Sequence, residues 1–197
     1  MSQLKVNALV SYSGNTVTLG TSGDTINVAS GVTFNTASAT VNYPAGSISN
    51  AAIASNAAIA TTKLGVGALL QVVNATDSTD RSTSSVTFVT ASNTLSVNIT
   101  PSSSSNNVWI HCDFGTNNLT NYGYATLYRG ATNLSDNLGF MIIDQNNPNG
   151  QQSFSVLDTP STTSSITYQV YIRSNSGTTS INNQGTKGTI TAFEIKG

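Results

Sequence analysis

Ile166-Thr167-Tyr168-Gln169-Val170-Tyr171-Ile172 alternates large apolar and polar side chains, with Tyr171 set against the rule. In an extended strand, successive side chains point to opposite faces. Residues 166, 168, 170 and 172 therefore share one apolar face, and Tyr171 stands on the other. Val108, Ile110, Cys112 and Phe114 repeat the pattern upstream. Strands covered on one face need a second layer to bury that face, so these two runs predict a pair of packed sheets.

Further candidates extend the pattern over residues 69–197: 69–73, 86–89, 95–99, 124–128, 140–143, 154–157 and 188–195. Turn-rich stretches separate them, among them Pro101-Ser-Ser-Ser-Ser-Asn-Asn, Asn146-Asn-Pro-Asn-Gly and Thr159-Pro-Ser-Thr-Thr. So many short strands in one region predict a β-sandwich, of which a jelly roll is one form.

Composition agrees. Ser, Thr and Asn supply 28, 29 and 23 of the 197 residues, while Asp, Glu, Lys and Arg together make up 8%. A typical globular chain carries about 25% charged residues, so hydroxyls and amides hydrate this surface in their place. Those side chains suit turns and exposed strand faces better than helix interiors. With 38% hydrophobic residues and a net charge of −1, the chain has the means to fold. Its seven Lys and Arg are scattered singly, so no basic stripe is present for nucleic acid or an anionic membrane. No apolar run reaches the roughly 20 residues that a membrane-spanning helix needs. The Met-Ser-Gln-Leu-Lys start lacks a signal-peptide pattern, which predicts assembly in a cytoplasm.

Two regions precede the sandwich. Residues 1–44 carry short alternating runs such as Thr25-Ile-Asn-Val, separated by Gly14, Gly20, Gly23 and Gly31. Strands this short bury little within one chain, and they predict a shaft of β-prism or β-helix type built from several copies. Residues 45–68 form an Ala-rich neck in which Ser-Asn-Ala-Ala-Ile-Ala occurs at 49–54 and 55–60. Ile48, Ile53, Ile59 and Leu64 are spaced 5, 6 and 5 apart, which is not the spacing of a heptad. They are expected to face their symmetry mates along a shared axis, a flexible linker being the alternative.

Chemistry has little to gather around. His111-Cys112-Asp113 is the most tempting cluster, yet alternation sends Cys112 to the face opposite His111 and Asp113. No Cys–His dyad forms locally, and the expectation is a buried thiol and a surface or interfacial imidazole. Asp77, Asp80, Asp136, Asp144, Asp158 and Glu194 are isolated in sequence. No phosphate-binding, zinc or calcium motif occurs. The expectation is no catalytic residues, no metal and no cofactor. Binding is the better prospect, because Asn and Tyr on loops make adaptable polar and stacking contacts. The stretches 115–124 and 144–152 are richest, which singles out Asn117, Asn118, Asn121, Tyr122, Tyr124, Asn146, Asn147 and Asn149 as candidate receptor contacts.

The segments Asn98-Ile-Thr-Pro-Ser-Ser, Val108-Trp-Ile-His-Cys-Asp, Leu127-Tyr-Arg-Gly, Leu157-Asp-Thr-Pro-Ser-Thr-Thr-Ser and the final Gly-Thr-Ile-Thr-Ala-Phe-Glu-Ile-Lys-Gly resemble the end domains of bacteriophage fibre proteins, in particular those of phages of marine bacteria and cyanobacteria. The neck repeat and the Leu4-Lys-Val-Asn start resemble other parts of the same proteins. This resemblance implies a C-terminal trimeric knob, a jelly roll like that of tumour necrosis factor. It further implies a homotrimer in a virion, attached through its N-terminal region to other virion proteins, with the knob available to a host-surface glycan. A capsid head-decoration, cement or head-fibre protein is the alternative, and an envelope-active glycanase ranks below both. The resemblance carries no active-site residues with it.

Overall fold

The computed structural model describes residues 30, 53, 59–60, 63–118, 122–144 and 150–197. The chain divides into Met1–Ala57 and Ala58–Gly197, and every element below belongs to the second unit. The expected shaft at 1–44 lies outside the described residues, apart from Ser30, and so does much of the 45–68 neck, Ile48 included.

The second unit is all-β in its described residues, apart from short 3-10 turns. Its strands are β1 (Leu69–Asp77), β2 (Arg81–Thr83), β3 (Ser96–Ile99), β4 (Asn107–Asn118), β5 (Tyr122–Arg129), β6 (Thr132–Asn133), β7 (Met141–Asp144), β8 (Gly150–Asp158), β9 (Ile166–Ser174), β10 (Thr179–Ile181) and β11 (Gly188–Ile195). All pairings are antiparallel and fall into two sheets.

In the first sheet β1 pairs with β11, β11 with β4, and β4 with β8. The short strands β2 and β10 continue the rows of β1 and β11 along the far half of β4. In the second sheet β3 pairs with β9 and β9 with β5, while β6 and β7 share the outer edge of β5.

Alternation explains the core. Val108, Ile110, Cys112 and Phe114 of β4 are fully buried, as are Tyr168, Val170 and Ile172 of β9. Together with Leu127, Ile143, Ile181 and Ile190 they belong to one cluster fed by both sheets. Burial pushes the Cys112 thiol far above its ordinary value, so the sulfur packs as a small apolar group and is a poor nucleophile.

The rows formed by β10 and β11 swell where they pass β4. Ile181 pairs with Thr116 and Thr189 with Asp113, so residues 182–188 span what β4 crosses with Phe114 and Gly115 alone. The excess loops out through Asn182 and Gln184, both at φ 56°, and Gly185. Thr186 folds back over Gly115, where a Cβ would lie 2.1 Å from its Oγ1, so no larger residue fits there without rearrangement.

Some boundaries differ from the sequence expectation. Residues 86–89 form no strand. Only Val89 bridges to Ile172, because Ser85 Oγ bonds Thr87 O at 2.7 Å and local side-chain bonds displace the ladder. Strands β2, β6 and β10 were not expected, since two or three residues carry no readable period. The stretches 115–124 and 144–152 were expected as loops, yet β4 runs on to Asn118, β5 starts at Tyr122, β7 ends at Asp144 and β8 starts at Gly150.

Ionic groups tie the sheets at their ends. Asp158, on the inward side of β8, accepts two bonds from Arg129 Nη1 of β5 at 2.9 and 3.0 Å, and a further one from the Tyr168 hydroxyl of β9. Burial, then this carboxylate, push the Tyr168 phenol up out of reach of ordinary titration. Removing Asp158 strands both donors. Asp158→Ala is expected to cost about 2–3 kcal/mol in urea unfolding, against less than about 0.5 kcal/mol for the exposed Asp80→Ala.

Candidate functional site

The sequence-singled loop residues do not gather into one surface. Asn118 is fully buried, and its Nδ2 donates to Thr179 Oγ1 at 2.9 Å. It is therefore a structural amide and not a receptor contact. Asn117 pairs opposite Ser180 on the same ladder. Tyr124 is almost covered, because the Arg173 guanidinium lies 4.0 Å from the centre of its ring. Tyr122 alone of the described tyrosines stands well exposed, at 42%. Asn121, Asn146, Asn147 and Asn149 lie outside the described residues. Of the neck positions, Ile53 and Ile59 are exposed in the single chain, and Leu64 is half-buried with its carbonyl bonded by Lys196 Nζ.

The titratable groups are dispersed, and most described carboxylates are bound to structural partners. Glu194 is buried, and its Oε1 accepts from Ser102 N at 2.6 Å, Ser102 Oγ at 2.7 Å and Asn106 Nδ2 at 2.6 Å. Asp77 accepts from the backbone N–H groups of Thr79 and Thr94, both at 2.9 Å, and contacts Arg81 at 3.4 Å. His111 Nδ1 lies 2.9 Å from Ser155 Oγ on the open face of the first sheet. Asp113, its neighbour on that face, is bonded by Gln151 and not by the imidazole, so the arrangement lacks the orienting third member of a hydrolytic triad. Among the described residues no three His, Cys, Asp or Glu converge as a metal site.

Two surfaces stand out. The first is apolar. Register carries Val72 opposite Phe193, Phe193 opposite Trp109, and Trp109 opposite Leu157, one row straight across β1, β11, β4 and β8. All four are at outward positions. Trp109 stacks on Phe193 with centroids 5.0 Å apart, yet Val72 is 50% exposed, Trp109 39% and Leu157 62%. Leu69, Val66 and Ile59 continue the exposed apolar series back along the chain.

The second surface is a cleft of about 340 Å³ on the outer face of the second sheet, lined in part by Val86, Phe88, Tyr128, Asn133, Asn137 and Arg173. Tyr128 stacks on Tyr171 at 3.9 Å, cross-strand on β5 and β9. Arg173 is held over Tyr124 and Phe88, and its Nη2 donates to Asn137 O at 2.7 Å. Sequence reasoning missed this cleft. Its one legible sign was Tyr171, which points away from the core in the run that decides the fold.

Compared with known proteins, the chain matches no family model and no curated relative. The local chemistry of these surfaces is the guide to function.

One electrostatic test follows from Asp77. Burial works to raise its carboxyl, but the Thr94 and Thr79 N–H groups and Arg81 outweigh it and hold the group below its ordinary value. A folded-state pKa below the unfolded one gives stability that is complete above about pH 4 and is lost as pH falls through the depressed value. Asp77→Asn is expected to lower the urea midpoint at pH 7 and to flatten its decline between pH 4 and 2, measured by circular dichroism.

Proposed function

We propose that the chain is a virion structural protein, a trimeric fibre or spike subunit whose C-terminal unit is a jelly-roll knob that binds glycan on a host surface. The strand order supports the knob. Taken as rows, β1–β11–β4–β8 faces β3–β9–β5–β7, the pattern that two nested Greek keys produce in an eight-stranded jelly roll.

The observation that carries the reading is the apolar row on the outside of the first sheet. A chain with 8% charged residues has little else to hold copies together, and apolar contact between copies avoids desolvating unpaired ions. Flanked on one side by Ser153, Ser155, Thr189 and Thr191, the row of Val72, Phe193, Trp109 and Leu157 has the polar edge expected of a subunit interface. Its continuation along the chain through Leu69 and Val66 to Ile59 suits three chains meeting along one axis. Three such knobs on one shaft convert weak glycan contacts into firm attachment.

Light scattering of the full chain is expected to give three times the 20.4 kDa chain mass, and antibody to the chain is expected to label intact particles. A stable monomer would remove the trimer. The double variant Trp109→Asp with Leu157→Asp is expected to shift the mass to that of one chain while leaving the β-type circular dichroism intact, since both side chains point outward.

A further inference from the structure

The cleft on the second sheet contains a cation, Arg173, that no carboxylate among the described residues neutralises. The chain has three arginines. Arg81 is paired with Asp77 and Arg129 with Asp158. Arg173 meets no carboxylate among the described residues. It is instead clamped by the rings of Tyr124 and Phe88 and by the carbonyl of Asn137. These contacts fix the plane of the guanidinium and use one N–H, so further donors remain for a ligand.

The rest of the cleft complements a small polar ring. Tyr128, backed by its stack on Tyr171, and Phe88 supply aromatic surface. Asn137 adds an amide able to donate and to accept, as sugar hydroxyls do, and Asn133 adds the second N–H of its Nδ2. The Asn137 side chain makes no hydrogen bond among the described residues, whereas Asn133 accepts from Thr126 Oγ1 at 2.7 Å and Ser135 N at 3.1 Å and donates from Nδ2 to Asp136 O at 3.2 Å. At about 340 Å³ the cleft is at the small end of the range of about 300–1,000 Å³ typical of ligand sites. We propose that this cleft binds an acidic sugar residue, with Arg173 as the fork for its carboxylate and Tyr128 and Phe88 as the surfaces for its ring.

A single fixed guanidinium without a neighbouring lysine matches one planar monoanion better than a phosphate dianion. Aromatic walls with amides favour a sugar over an acidic peptide, whose backbone would need partners along an extended groove. The proposal rests on the glycan-binding reading of the knob and narrows it to charge-bearing glycans.

The test is isothermal titration of the full chain with trigalacturonate, with its carboxyl-reduced neutral counterpart, and with a tetraglutamate peptide. Trigalacturonate is expected to bind about tenfold or more tighter than the other two. Arg173→Gln is expected to abolish that preference. Because Arg173 also braces Phe88, a second variant is needed: Val86→Asp, which places a negative charge at a rim position that is 66% exposed, is expected to do the same with an unchanged melting temperature. Equal binding of acid and neutral sugar, equal binding of the peptide, no binding of trigalacturonate at millimolar concentration, or a preference that survives both substitutions would each overturn the acidic-sugar site. The wider reading is judged separately, by whether the labelled full chain adheres to host cells and is released by stripping their surface polysaccharide.

Discussion

Two sheets share one apolar interior, and everything else in the described unit depends on that burial. The inward sides of β4 and β9 supply the axis of the core, from Val108 to Phe114 and from Tyr168 to Ile172. Because strand side chains alternate, committing these residues inward commits their neighbours outward. Trp109 and His111 then lie on one outer face, Tyr171 and Arg173 on the other. Both candidate surfaces are thus by-products of the same packing decision, one on each side of the molecule.

Scarcity of charge shapes how the sandwich is closed. Few ionic groups are present, and several serve as clasps at its ends. Asp158 joins β8 to β5 and β9, Glu194 binds the Ser102–Asn106 turn to β11, and Asp77 anchors the turns after β1 and before β3. Glu194 is the unusual case, a buried carboxyl whose Oε1 accepts three bonds from neutral donors. Such a group holds one turn in one conformation, since a shift of the turn would leave the charge without its bonds. Against this background, Arg173 is conspicuous as a cation supported by aromatic rings in place of an acid.

The outer faces differ in character, and the difference suits a division of labour. An apolar row four strands wide is costly to leave in water and gains from a like surface. The opposite face carries a cleft with aromatic walls, an Asn137 amide unbonded among the described residues and a fixed cation, the features on which the proposed acidic-sugar site rests. A subunit that self-associates through one sheet leaves the other facing outward. Self-association and recognition then need not compete for the same residues.

Period-two alternation made the all-β class legible, and with it most long strands and the inward set of β4 and β9, including burial of Cys112 away from His111. These follow from side-chain direction along a single strand, which is a local property. The short strands β2, β6 and β10, and the strand ends that absorbed Asn117, Asn118 and Tyr122, were decided by pairing with segments far away in the chain. An Asn reads as a loop residue until a partner such as Thr179 satisfies its amide. The same reason hid the two surfaces. Val72, Trp109, Leu157 and Phe193 are each unremarkable in sequence, and Phe88, Tyr128 and Arg173 lie in different segments. Only antiparallel register, which sums contributions from distant strands, lines them up.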